Sequence, residues 1–170
     1  NDYVKLGITS SEDRDSENRA GLNAADITLR KSAESWIKVE ASRSEGPGLP
    51  SLSSGDGGFT FGSTETPGVG SAGAYRVDTS IGFGDIIDGA KGQLTLYTQN
   101  LDEGYSAPGL ATLTDTKQYG GTLKAPVTDR ITIAAKADAT SREQGLETNA
   151  SEVDVNYLLT EHWTLSPGVR

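Results

Sequence analysis

Glu152-Val153-Asp154-Val155-Asn156-Tyr157-Leu158-Leu159 sets Val153, Val155, Tyr157 and Leu159 on one side of an extended chain and Glu152, Asp154 and Asn156 on the other. A period of two is the signature of a strand with one apolar and one polar face. The same alternation recurs throughout the chain. Upstream, Ile131 to Ala139 opposes Ile131, Ile133, Ala135, Ala137 and Ala139 to Thr132, Lys136 and Asp138. Lys117 to Ala125 opposes Tyr119, Leu123 and Ala125 to Gln118, Thr122 and Lys124. Further strands are expected at Tyr3 to Thr9, Ala25 to Arg30, Trp36 to Ser42, Tyr75 to Phe83 and Gln93 to Gln99, and Trp163 to Val169 opens a ninth. Several of these span only about seven residues, short of the nine to eleven a membrane-crossing strand needs. Pro167 falls on the apolar face of the last one, where it removes a ladder hydrogen bond unless it marks an edge or bulge.

The connections between these ribbons alternate in length. Lys31 to Ser35, Gly84 to Lys91, Pro126 to Arg130 and Thr160 to His162 are short. Ser10 to Ala24, Arg43 to Ala74, Asn100 to Thr116 and Thr140 to Ser151 are long and rich in Gly, Ser, Asp, Glu and Pro, as solvated loops are. Sequential strands with tight turns at one end describe an all-β, antiparallel up-and-down meander. Short turns at one end and long loops at the other are the habit of transmembrane β-barrels.

Composition agrees with many strands and turns: of 170 residues, 21 are Gly and only 34% are hydrophobic. The chain lacks Cys and carries one His, His162, which removes disulfide frameworks, Cys-based metal centres and His-rich sites. A net charge of -9 and a pI near 4.6 argue against nucleic acid as a partner, because phosphate neutralisation needs clustered Lys and Arg. The chain opens at Asn1 with no charged-then-apolar leader and has no Met, so we expect 1–170 to be a single β-barrel region cut from a longer barrel.

Three details favour lipid over a soluble core. The apolar faces carry no Asp, Glu, Lys or Arg away from strand ends. The opposite faces hold a balanced set, Lys5, Arg30, Lys38, Arg76, Lys124 and Lys136 with Asp26, Glu40, Asp78, Asp138, Glu152 and Asp154, expected to face a lumen and to pair there. Ala135, Ala137, Ala139, Thr79 and Thr98 are small for a packed core, where gaps are penalised, but lipid chains conform to a low surface. Trp36, Trp163, Tyr157, Tyr75 and Phe83 fall near strand ends, where interfacial girdles sit.

The short turns form a weak repeat. Leu29 to Val39 (LRKSAESWIKV), Leu123 to Ile133 (LKAPVTDRITI) and Val155 to Leu165 (VNYLLTEHWTL) each run strand, acidic tight turn, then an apolar or aromatic residue opening the next strand. Tyr157 to Leu165 resembles the periplasmic hairpins of Gram-negative outer-membrane β-barrels, including large outer-membrane proteins that carry OmpA-like modules. The likeness is one of pattern over most of the chain and singles out no family within that class. It departs from the class at Val169-Arg170, where a complete barrel would close on an aromatic residue. It implies a bacterial outer-membrane location, lipid as partner, further segments or chains completing the barrel, and a non-enzymatic role as structural anchor or passive pore without cofactor.

The rival expectation is a soluble extracellular β-sandwich for adhesion or carbohydrate binding, with the apolar faces sharing a core. Other chemistry is weaker. Ser11 to Glu17 gathers carboxylates as calcium sites do, but Arg14 interrupts them and the EF-hand spacing is absent. Gly55-Asp56-Gly57-Gly58 resembles half a calcium-binding repeat and occurs once. His162 with Ser166 suggests an outer-membrane hydrolase, without a nucleophile elbow and with His162 in a turn. Asn149-Ala150-Ser151 matches the glycosylation pattern by accident, and Gly82-Phe83-Gly84 lacks the strand-to-helix setting of a phosphate loop.

Overall fold

The computed structural model describes residues 3–13, 20–46, 51–53, 62–64, 70–107, 110–143 and 145–170. In chain order the strands are β1 (Val4–Asp13), β2 (Ala20–Arg30), β3 (Trp36–Gly46), β4 (Ser51–Ser53), β5 (Gly62–Thr64), β6 (Gly70–Gly82) and β7 (Gln93–Leu101). They continue with β8 (Ser106–Ala107), β9 (Leu110–Ala111), β10 (Thr116–Pro126), β11 (Ile131–Arg142), β12 (Glu147–Thr160), β13 (Trp163–Leu165) and β14 (Gly168–Val169). One antiparallel sheet runs β1-β2-β3-β6-β7-β10-β11-β12-β13, with β14 also on β12, and β4–β5 and β8–β9 are small separate hairpins. The meander expected from alternation is what forms. The sheet is not closed: among the described residues β1 pairs only with β2, and β13 and β14 only with β12.

The main strands run longer than their alternating cores. β12 has 14 residues and β11 has 12, so the shortfall in strand length disappears. The extra residues lie chiefly at the long-loop end. Glu147 to Ser151, for example, pairs with 137–141 although neither face of it is apolar. The contrast in connection length shrinks accordingly. Residues 143–146 and 14–19 are brief links, 83–92 contains a 3-10 turn (Phe83–Asp85), and only 47–69 and 102–115 remain long. The awkward Pro167 sits in the break between β13 and β14, where its carbonyl accepts from Val155 N at 3.0 Å and no ladder donor is needed from it.

Pairing register assigns every strand's faces. Along one face the row Leu6, Ile27, Val39, Val77, Thr98, Tyr119, Ala139 and Asn149 crosses the sheet from β1 to β12. Leu6 is the middle of the apolar run on β1, yet its row ends on β12 at Asn149, seven residues before Asn156, the centre of the apolar run 153–159. The apolar band therefore slopes across the hydrogen-bonded rows. Seven residues at ~3.3 Å, over seven strand steps at ~4.8 Å, make that slope about 35°.

On β2, β3 and β12 burial is inverted relative to a soluble sheet. On β2, Ala25, Ile27 and Leu29 are exposed, whereas Asp26, Thr28 and Arg30 between them are half-buried; β3 repeats the pattern. Leu6 is 77% and Ile8 88% exposed. Long charged side chains would be the more exposed on a flat sheet, so the polar face is the sheltered one at β2, β3 and β12, whereas on β10 and β11 Thr122, Lys124 and Lys136 are exposed and Leu123, Ile133 and Ala135 half-buried. Glycines on the polar face leave room for side chains that cross it. Gly120 separates Tyr97 from Asp138, and the Tyr97 hydroxyl crosses over it to donate to the Asp138 carboxylate. A Cβ on Gly120 would stand 2.6 Å from Ala137 O and 2.8 Å from Tyr97 Cε1. Asp26 leans over Gly7 in the same way.

At the short-turn end, the β2–β3 turn is tied to the 3-10 turn. The Ser32 hydroxyl donates to the Asp85 carboxylate, Lys31 Nζ reaches Asp85 O at 2.6 Å, and Ser80 Oγ donates to Glu34 O at 2.6 Å. The hydroxyls of Ser32 and Ser35, then Lys31, hold the Asp85 carboxyl below its ordinary range. Its folded pKa is thus depressed, so this tie contributes in full above the ordinary carboxylate pKa and is lost as pH falls through the lowered one. Protection of the Glu34 and Ser35 amides, relative to an unstructured peptide at the same pH, is expected to fall as pH drops below about 4 and to be low at all pH values in Asp85→Asn. Exchange that ignores both changes would contradict the tie.

Candidate functional site: the polar concave face

All twelve charges singled out from the sequence share one face of the sheet. Lys5 pairs with Thr28 and Thr28 with Lys38. Asp26 pairs with Glu40 and Arg30 with Trp36, and Lys38 and Glu40 pair with Asp78 and Arg76. The next strands preserve the parity through Tyr97 and Gln99 to Gly120 and Gln118. Lys124, Lys136, Asp138, Glu152 and Asp154 follow on the same side.

The pairs that form within the set run along single strands. Lys38 Nζ meets Glu40 Oε2 at 2.8 Å and Arg76 Nη2 meets Asp78 Oδ1 at 2.7 Å, each bridge joining residues two apart on its own strand. Across the strands these bridges lie with opposite signs adjacent, Lys38 beside Asp78 and Glu40 beside Arg76, so four charges cancel in a small square. Arg76 also stacks over the Tyr97 ring, 4.9 Å from its centroid. Glu152 is met by Arg170, outside the twelve, at 2.8 Å. Lys5, Lys124 and Lys136 form no ion pair among the described residues, and Arg30 Nε is buried with no partner among them.

Between these charges runs a belt that charge counting missed. Arg76 Nη1 donates to Gln99 Oε1 at 2.9 Å, Gln99 Nε2 approaches Gln118 Oε1 at 3.4 Å, and Gln118 Nε2 donates to Thr140 Oγ1 at 3.2 Å. The belt crosses β6, β7, β10 and β11 in one row. Gln99 and Gln118 were legible as polar-face residues, but their alignment depends on register.

Segment 102–115 departs most from expectation. The connection Asn100 to Thr116 was expected to be a solvated loop; instead it folds back against the polar face. Tyr105 is 6% exposed, and Leu101, Thr112, Thr116 and Ser44 are buried with it. The segment's acidic and glycine-rich composition hid one aromatic residue whose hydroxyl has a partner on β3.

The aromatic girdle is partly corrected. Trp36 pairs with Arg30 and Ser80 on the polar face, so it cannot lie with the apolar band. Tyr75 and Tyr119, 51% and 60% exposed, flank that band at the long-loop end, and Tyr3 and Trp163 are exposed at the other.

The weaker candidates gather little. Ser11, Glu12 and Asp13 end β1, and residues 14–19 and 54–61, with the rest of the acidic loop and Gly55 to Gly58, lie outside the described residues. Among the described residues no three His, Asp or Glu side chains converge to hold a metal ion. His162 occupies the β12–β13 turn with its amide on Thr160 Oγ1, and Ser166 Oγ donates to Asn156 Oδ1 at 2.6 Å rather than facing an imidazole. Among the described residues no helix is long and apolar enough to cross a membrane. No family model, curated protein or solved structure matches the chain.

Proposed function

We propose that this chain is part of the wall of a bacterial outer-membrane β-barrel, with its convex apolar band in lipid and its concave polar face lining a hydrated interior for anchoring or passive conduction. The observation that carries this reading is the sloping exposed band. Transmembrane barrel strands tilt about 35 to 45° against the membrane, so a band level with the bilayer must cross their rows obliquely. The slope of about 35° obtained from register meets that requirement without any assumption about the membrane. A sandwich within the chain would need a second sheet over the band, and the other sheets among the described residues are two-stranded hairpins, of which β8–β9 lies on the polar side. Six cations and six anions share that face, four of them paired along their own strands, a mixture that suits a hydrated interior.

In hydrocarbon each unpaired backbone group costs several kcal/mol, so the free edges at β1 and β13–β14 are covered in the membrane by further strands of the same or another chain. No reaction is assigned to the face. The test uses the absence of native Cys. Val77→Cys and Asp78→Cys are neighbours on opposite faces. With the protein refolded into liposomes, a membrane-impermeant thiol reagent is expected to modify Asp78→Cys and spare Val77→Cys. Equal modification of both, with the protein monodisperse in plain buffer, would overturn the proposal in favour of a soluble module.

A further inference from the structure

We infer that segment 102–115 is a strap that roofs the polar face and limits the size of what passes beneath it, an inference that rests on reading that face as a hydrated conduit. The segment leaves β7 and returns on β10, strands adjacent in the sheet, yet its limb at Tyr105 and Ser106 does not stand over them. It reaches sideways past β6 to β3, where Tyr105 Oη and Ser42 Oγ lie 2.7 Å apart and the Ser106 amide donates to Ser44 Oγ at 3.0 Å. Ser42 and Ser44 share the polar face with Lys38 and Glu40. Beneath the strap, β6 presents Ala72 and Ala74, their partners in register, and these short side chains leave the headroom that the crossing needs.

The strap is internally braced. Gly104 N donates to Thr112 O and Thr112 N to Tyr105 O, both at 2.9 Å, and β8 pairs with β9. Gly104 takes a φ of 83°, which a side chain would strain, at the bend that turns the strap inward. Asp115 Oδ1 accepts from Glu103 N at 2.6 Å, and Asp102 Oδ2 accepts from Gly73 N at 3.2 Å, so both feet are pinned. Apart from Ser80, every buried side chain among the described residues lies at this strap. Hydroxyls and one amide dock Tyr105 and Ser106, with no ion pair among the described residues, so this docking does not follow the ionic state of the conduit. The belt from Arg76 to Thr140 lies one row further in.

The experiment places a reporter in that belt, Gln118→Cys, in protein refolded into liposomes, and frees the strap with Ser44→Ala/Tyr105→Ala or more gently with Ser42→Ala/Tyr105→Phe. Freeing the strap is expected to speed modification by a bulky maleimide about tenfold while a small thiosulfonate changes little. A separate variant, Ser44→Cys/Ser106→Cys, is expected to cross-link within one chain on mild oxidation. Unchanged bulky-reagent rates in both freed variants, or absence of the cross-link, would overturn the inference, and the cross-link decides alone if the freed variants do not fold. Val155→Cys reports separately on the membrane. If it reacts freely, the barrel reading fails, whereas the cross-link and the Gln118→Cys rates still judge the strap.

Discussion

Arginine in place of Val155 is expected to cost the folded protein about 2 to 4 kcal/mol in a bilayer, and arginine in place of the adjacent Asn156 almost nothing. Val155 faces outward near the centre of the apolar run of β12, and Asn156 shares the polar face with Asp154. The slope of the band sharpens the prediction. Leu6 and Asn149 stand in one hydrogen-bonded row, so a band parallel to the rows would make arginine equally harmful at both. A band tilted by about 35° makes Leu6→Arg costly and Asn149→Arg nearly free, since Asn149 then lies beyond the hydrocarbon. Denaturant titration of each variant refolded in liposomes measures the four values, and equal costs at Leu6 and Asn149 would defeat the tilted band.

Gly120→Val is expected to destabilise the sheet by about 3 kcal/mol, the upper end of overpacking costs. The added Cβ would lie 2.6 Å from a backbone oxygen, Ala137 O, which cannot rotate away, and would also enter the space that Tyr97 occupies on its way to Asp138. Removing the tyrosine separates these two causes. Tyr97→Ala combined with Gly120→Val is expected to recover only part of the loss, because the clash with Ala137 O persists. Full recovery in the double variant, read from the denaturant midpoint, would place the whole effect in the side chain and none in the backbone approach.

Much of this architecture was legible in the sequence where one face of a strand is polar and the other apolar. Val153, Val155 and Tyr157 against Glu152, Asp154 and Asn156 suffice to assign both faces, and all twelve charges found this way share one side. Alternation fades at Ser10 to Asp13, at Ala20 to Ala24 and at Glu147 to Ser151, yet the ladder continues through each. Beyond the apolar band no face repeats apolar residues at every second position, and paired backbone there looks like loop. The strap was hidden for another reason. The burial of Tyr105 depends on Ser42, 63 positions away in the chain, and no local pattern reports such a contact. Trp36 misled because nearness to a strand end says nothing of which face a side chain occupies.

The continuation of the ladder past the band has a mechanical outcome. On β3 the apolar run ends at Ala41, and Ser42 and Ser44 belong to the stretch above it. The strap is therefore moored to paired backbone beyond the apolar band. If that band lies in lipid, a thicker or thinner bilayer would load the band and leave the mooring untouched, so any aperture under the strap and the fit to the membrane would be mechanically separate.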